Sequence, residues 1–271
     1  MKETKLTNNK TGQSRPGVTT LGIPQIAFCD LHQLPDSNLL TAWSDMLSES
    51  DKNRLINYKH ARRKREFIVG RTVLRHFLQS KVHSQTTVHS GEQGRPFATT
   101  RNRTTINCSI SHSDNWLVAA FSTLGPVGVD IECPKPSRKP AAAARWLLSD
   151  DDISLMHEEA SSDIDVLFYQ TWCAREATVK CLGSGHIFDK DLLRQDDARR
   201  LFRDQRHLIL ESKKRNQEAY LDVRWGNSQQ PLGEIRDRKA PRALLHLAKV
   251  SKTGHWIFDA IHSETIGQPE T

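Results

Sequence analysis

The chain of 271 residues carries a formal net charge of +7, a balance that suits an anionic partner such as nucleic acid, a polyphosphate cofactor or an acidic protein. Hydrophobic residues make up 37% of it, enough for a real core, but no apolar run reaches the ~20 residues a membrane helix needs. The polar stretch from Met1 to Gly17 lacks the apolar centre of a secretion signal, and five scattered cysteines without C-x-x-C spacing argue against zinc and a disulfide framework, so the expected compartment is the reducing cytoplasm.

In chain order, residues 1–20 read as a disordered lead-in. Ile23 to Phe28 reads as a first short strand, and an apolar-periodic run from Leu39 to Leu47 as a helix. Asp51 to Gln79 is a longer helical region in which Lys59, Arg62, Arg63, Lys64 and Arg65 are crowded together. Such a run is either a solvated helix face or a phosphate-binding edge. Gly91 to Phe97 is a turn by its glycine and proline content. Arg95, held between Gly94 and Pro96, is either a plain surface residue or a guanidinium offered to a phosphate.

Ile106 to His112 alternates, with Ile106, Cys108 and Ile110 on one face and Asn107, Ser109 and Ser111 on the other. A turn at Ser113-Asp114-Asn115 and a strand from Trp116 to Phe121 complete a hairpin. His112 therefore arrives at a strand end beside small hydroxyls, as a structural residue or as a ligand contact.

Val127 to Glu132, V-G-V-D-I-E, is the stretch around which the rest is organised. Val127, Val129 and Ile131 share one face of a strand; Gly128, Asp130 and Glu132 share the other. The two carboxylates start roughly 6.5–7 Å apart at the backbone and can converge on one hard cation, or can simply be two acids on a solvent face. Gly128 leaves that face bare, so a ligand has room to approach the backbone.

Ala144 to Leu148 and Asp150 to Glu159 read as helical pieces. Val166 to Leu182 is the clearest helix, with an apolar stripe of Val166, Tyr169, Cys173, Ala177 and Cys181, and Gly183-Ser184-Gly185 stops it. Trp172, Glu176 and Lys180 lie four apart on one face. Leu208–Leu210, Ala219–Trp225, Ala243–Val250 and His255–Ile261 are strand candidates, with polar loop over 227–242 and a loose tail over 263–271.

Taken together, three ordered blocks resemble the phosphopantetheinyl transferases of the surfactin-synthetase-activating type. They are Ser111-His112-Ser113 after a strand, Gly128 to Glu132 (G-V-D-I-E), and Trp172 to Gly183 (W-C-A-R-E-A-T-V-K-C-L-G). Two weaker blocks also fit: the basic helix ending in Gly70-Arg71, and G-R-P at Gly94–Pro96. Arg175 departs from the pattern, standing where the family usually has lysine. A guanidinium cannot lose its proton, so a neutral amine is excluded there while a phosphate contact survives.

The resemblance implies an α+β fold of two pseudo-symmetric halves, residues 21–125 and 126–262, each a small antiparallel sheet packed with helices, with a coenzyme A cleft between them. It implies Mg²⁺-dependent transfer (Mn²⁺ possible) of the 4′-phosphopantetheine arm of coenzyme A to a serine of an apo acyl- or peptidyl-carrier protein, releasing 3′,5′-ADP, as in a holo-[acyl-carrier-protein] synthase. Asp130, Glu132 and Glu176 are the implied metal ligands. Glu176, or a water held by the metal, is the base, and Lys180 stabilises the leaving group. Arg62, Arg95, Ser111 and His112 are the implied coenzyme A contacts, joined at the pyrophosphate by Asp130 and Lys180. The partners expected are coenzyme A and a carrier protein, with neither nucleic acid nor membrane, and a monomer suffices to build the site. The identity of the carrier stays open among fatty-acid, polyketide, polyunsaturated-lipid, nonribosomal-peptide and lysine-biosynthetic systems. A Mg²⁺-dependent nuclease or phosphohydrolase would use the same acids and basic helix. A non-enzymatic nucleic-acid-binding module would use the basic run alone, although aromatics do not interleave with it as stacking platforms would.

Overall fold

The computed structural model describes residues 24–34, 37–82, 85–123, 125–134, 139–147, 164–183, 208–209, 220–225, 244–250 and 256–261. The expected lead-in, the helical piece at 150–159, the loop at 227–242 and the tail lie outside them.

Within those residues the chain is α+β, with two sheets of unequal size. The larger has seven strands in the order β10-β9-β1-β5-β4-β3-β2, and the smaller three, β6-β8-β7. The strands are β1 (Gln25–Asp30), β2 (Thr86–Ser90), β3 (Pro96–Thr100), β4 (Thr105–Ser113), β5 (Trp116–Ser122), β6 (Val127–Glu132), β7 (Leu208–Ile209), β8 (Tyr220–Trp225), β9 (Leu244–Val250) and β10 (Trp256–Ile261). All pairs are antiparallel except β1 with β9. A parallel neighbour requires a crossover, and here the crossover carries the chain through the smaller sheet and back. β9 and β10, which follow the small-sheet strands in sequence, thus belong to the sheet begun by β1.

The helical region expected as one piece is two helices. α1 (Ser37–Asp45) precedes them; α2 (Glu49–Ile56) starts at Ser48, whose Oγ accepts from the Asp51 N–H at 3.3 Å, and α3 (Ala61–Lys81) follows a turn at Asn57–His60. α3 is basic and exposed over its first turn, then buries Ile68, Val69, Val73, Leu74, Phe77 and Leu78. Those residues pack on the large sheet, where the Phe77 and Phe121 rings meet edge to face at 5.1 Å. Burying each such side chain contributes roughly 1.5–3 kcal/mol, and this anchors the basic first turn beside the β4–β5 turn, where Arg62 donates to the Asp114 carbonyl.

β3 is reached through the Gly91–Arg95 turn, which a buried ion pair secures. Asp51 of α2 and Arg71 of α3, 1% and 4% exposed, approach to 3.1 Å. Arg71 also donates to Ser90 Oγ at 2.8 Å and to the Gly94 carbonyl at 3.2 Å. In the second half α4 (Pro140–Leu147) and α5 (Ile164–Leu182) are the described helices. All five cysteines are buried thiols. Burial pushes the Cys29 and Cys108 thiols up to about 12. No helix among the described residues is long and apolar enough to cross a membrane.

Candidate active site

β4 and β6 lie side by side without a backbone ladder between them. The serines of S-I-S-H-S join them instead. Ser109 Oγ accepts from the Val129 N–H and Ser113 Oγ from the Cys133 N–H, each at 3.0 Å. Side-chain hydroxyls thus satisfy an edge of β6 that would otherwise be buried with open donors. Between them Ser111 Oγ donates to Asp130 Oδ1 at 2.6 Å, and Ser113 Oγ donates to Glu132 Oε2 at 3.1 Å. The period of two in both strands sets this register of hydroxyl against carboxylate.

α5 packs on the face of β6 that carries Gly128 and Asp130. A methyl group built on Gly128 would stand 1.9 Å from the Ala177 carbonyl oxygen and 2.5 Å from the Cys181 nitrogen. The bare face of Gly128 therefore receives the helix backbone rather than a ligand, which corrects the expectation of an open approach there. That close approach brings Lys180 onto the strand. Its Nζ donates to Asp130 Oδ1 at 2.6 Å and to Ser111 Oγ at 3.1 Å, and lies 3.6 Å from Glu176 Oε2. Burial opposes the Lys180 charge, but Asp130, and then Glu176, outweigh it and raise its pKa. Tyr169, Cys173, Ala177 and Cys181 are buried as the stripe predicts, while Trp172, Glu176 and Lys180 share a half-buried face.

Asp130 is 3% exposed, and its second oxygen, Oδ2, has no hydrogen-bond partner among the described residues. Asp130 and Glu176 both flank Lys180 Nζ, whereas Glu132 bonds Ser113. No three His, Cys, Asp or Glu side chains among the described residues form a ready-made metal cluster.

The basic run meets the site from the large sheet. Glu66, 5% exposed, is surrounded by Arg62 Nε at 2.8 Å, Arg63 Nη1 at 3.4 Å and His112 Nδ1 at 3.6 Å. Arg62 also donates to the Asp114 carbonyl at 2.8 Å. Arg63 Nη1 lies 3.1 Å from His112 Nε2. A guanidinium only donates, so that contact requires Nε2 to accept and assigns the ring proton to Nδ1, facing Glu66. Burial lowers the His112 pKa and Arg63 adds to it, against the pull of Glu66. Glu66, which the sequence alone did not single out, stands four residues after Arg62 and three after Arg63, the spacing of helix ion pairs.

Arg95 is not free in the turn. Its Nη2 donates to the Cys181 carbonyl at 3.0 Å, at the end of α5, and Gly183, at φ +73°, completes that end with the Arg95 guanidinium where its Cβ would be. Arg175 is the largest of the fully buried side chains among the described residues, at 1% exposure.

Three motif blocks, on β4, β6 and α5, thus converge on one carboxylate. Residues 126–225 match the family model described as the 4′-phosphopantetheinyl transferase superfamily, and residues 51–122 match that of the 4′-phosphopantetheinyl transferase N-terminal domain. The chain belongs to the 4′-phosphopantetheinyl transferase family. It is 27% identical over 165 residues, 60% of its length, to a Synechocystis sp. protein provisionally named as such a transferase, slr0495. It is 24% identical over 153 residues, 55% of its length, to the 4′-phosphopantetheinyl transferase gsp of Aneurinibacillus migulanus. A shorter stretch of 79 residues, 28% of the chain, is 34% identical to the 4′-phosphopantetheinyl transferase ffp of Bacillus subtilis. The matched stretches cover 65%, 62% and 33% of these three relatives, less than two thirds of each. The β4 serines lie in the first matched segment and the β6 carboxylates in the second.

Proposed function

We propose that this protein transfers the 4′-phosphopantetheine arm of coenzyme A to a serine of an apo acyl- or peptidyl-carrier protein, releasing 3′,5′-ADP, as a holo-[acyl-carrier-protein] synthase does. The observation that carries the reading is the meeting of Ser111 and Lys180 on Asp130, each contributed by a different motif block.

The chemistry of the donors supports a hard divalent cation. A buried, charged oxygen without a partner, Asp130 Oδ2, is what such an ion would satisfy. Mg²⁺ takes one or two carboxylates and completes its shell with phosphate oxygens and water, so the lack of a closed three-acid cluster is no obstacle. Asp130, Glu132 and Glu176 would hold it, with Mn²⁺ as the alternative. Bound there, the cation would neutralise charge on the pyrophosphate oxygens, the main requirement of phosphoryl transfer.

The chain's own groups divide the remaining work. Glu176, half-buried beside Lys180, accepts the proton of the attacking carrier serine. Lys180 offers its ammonium to the pyrophosphate and the departing oxygen. Ser111, His112, Arg62 and Arg95 hold the nucleotide end, and His112 enters as a neutral ring. The basic balance of the chain suits an acidic carrier, both halves of the site come from one chain, which supports a monomer needing no second copy, and the free thiols suit the reducing cytoplasm.

The test is an intact-mass assay with Mg²⁺, coenzyme A and a panel of apo carrier proteins. The expected result is a phosphopantetheine mass added to at least one carrier, dependent on Mg²⁺ and lost in Asp130→Ala and Glu176→Ala. Undiminished transfer in either variant overturns the metal assignment. Failure of the protein to bind coenzyme A by calorimetry overturns the function and leaves a phosphohydrolase as the next reading.

A further inference from the structure

We infer that Lys180 is a built-in counter-cation that makes binding of a divalent metal conditional on a polyphosphate ligand. The inference rests on the reading above and adds to it the order in which the charges at the site assemble.

Lys180 Nζ occupies the position from which a cation would serve both acids. It is 2.6 Å from Asp130 Oδ1 and 3.6 Å from Glu176 Oε2. Its partner Asp130 is nearly fully buried, and the same Asp130 oxygen also accepts a hydrogen bond from Ser111 Oγ at 2.6 Å. Asp130 thus spends one oxygen on groups of the chain and has the other unpartnered. The same ammonium faces any divalent ion arriving at Oδ2 across a single carboxylate. Two positive charges at that separation, partly shielded from water, repel strongly.

A pyrophosphate changes the balance. Lys180 carries its charge on a flexible four-carbon stem and exchanges partners readily. Phosphate oxygens arriving at the site give the ammonium a second anion to pair with. Asp130 is then released to the metal, and the metal gains phosphate oxygens as further ligands. Each ligand therefore raises the affinity for the other, and the coupling is reciprocal. A protein arranged in this way holds the bare ion weakly.

The measurement is Mn²⁺ binding by electron paramagnetic resonance, which reads free Mn²⁺ and needs no carrier protein and no turnover. Wild type, Lys180→Met, Lys180→Arg and Asp130→Asn are titrated with and without coenzyme A. Wild type is expected to bind Mn²⁺ weakly alone and more tightly with coenzyme A. Lys180→Met is expected to bind Mn²⁺ alone about tenfold more tightly than wild type, with a smaller gain on adding coenzyme A. Lys180→Arg keeps the charge and is expected to follow wild type, which also separates charge from any loss of packing. Equal affinity of wild type and Lys180→Met for Mn²⁺ alone overturns the inference and leaves the proposed function standing. So does Lys180→Arg behaving as Lys180→Met, or Asp130→Asn binding as tightly as Lys180→Met. Absence of Mn²⁺ binding in wild type even with coenzyme A overturns the metal-dependent function itself.

Discussion

Replacing Gly128 by alanine places one methyl group between β6 and α5. The added carbon would stand 1.9 Å from the Ala177 carbonyl oxygen, 2.5 Å from the Cys181 nitrogen and 3.0 Å from the Ala177 carbonyl carbon. All three neighbours are backbone, so no rotamer change relieves the contact. The helix has to withdraw by more than about 1 Å before the distances become tolerable. Overpacking of a core typically costs 1–3 kcal/mol, and a clash between two backbones falls at or above the top of that range. For a chain of this size about 3 kcal/mol lowers the melting temperature by roughly 6 °C or more. The same displacement draws Lys180 away from Asp130, where they now stand 2.6 Å apart. A misplacement of ~1 Å near reacting groups costs on the order of 100-fold in rate. Urea denaturation and carrier modification measured on the same preparation test both parts. A Gly128→Ala protein that unfolds within about 0.5 kcal/mol of wild type would refute the reasoning, because β6 and α5 would then have space the structure denies them.

Asp51→Ala removes the counter-charge of the buried Arg71 and is expected to cost about 3–5 kcal/mol by urea denaturation; the double variant Asp51→Ala, Arg71→Met should recover a large part, and no recovery would mean that the pair is not the cause. Gly183→Ala forces an L side chain into φ +73° and onto the Arg95 guanidinium, for about 1–2 kcal/mol from the backbone alone. In an Arg95→Met background the penalty should fall towards that backbone share, read as the coupling in a double-mutant cycle. The His112 pKa is lowered in the folded protein, first by burial, against about 6.5 unfolded. The unfolded state then binds the proton more readily, so stability is full above pH 6.5 and falls as the pH drops from there towards the folded value. Thermal melts from pH 7.5 to 5.5 should show a shallower loss in His112→Asn than in wild type; parallel curves would remove His112 from the account.

What the sequence disclosed was local. Alternation placed β6 at its observed bounds, and the stripe through Tyr169, Cys173, Ala177 and Cys181 identified the buried face of α5 because a period near 3.6 is written in consecutive residues. Long-range pairings leave no such trace. The break between α2 and α3 was invisible because no glycine or proline marks Asn57–His60; what holds α2 in its own direction is the ion pair of Asp51 with Arg71, twenty residues on. Gly128 was legible as a place of close approach, but not what approaches, since α5 lies some fifty residues away. Arg95 read as a plain surface residue or a phosphate contact because the carbonyl it holds is on another element. Glu66 was obscured by the basic residues before it, although its charge is what lets Arg62 and Arg63 crowd together there.

The parallel pairing of β1 with β9 has a consequence for biosynthesis. β1 leaves the ribosome early, yet one of its two neighbours, β9, is made more than two hundred residues later. Until then the nascent chain carries β1 with an unsatisfied edge, a template for pairing with other nascent chains. A ribosome stalled after β8 would release every motif of the candidate site, on β4, β6 and α5, in a chain whose larger sheet is two strands short.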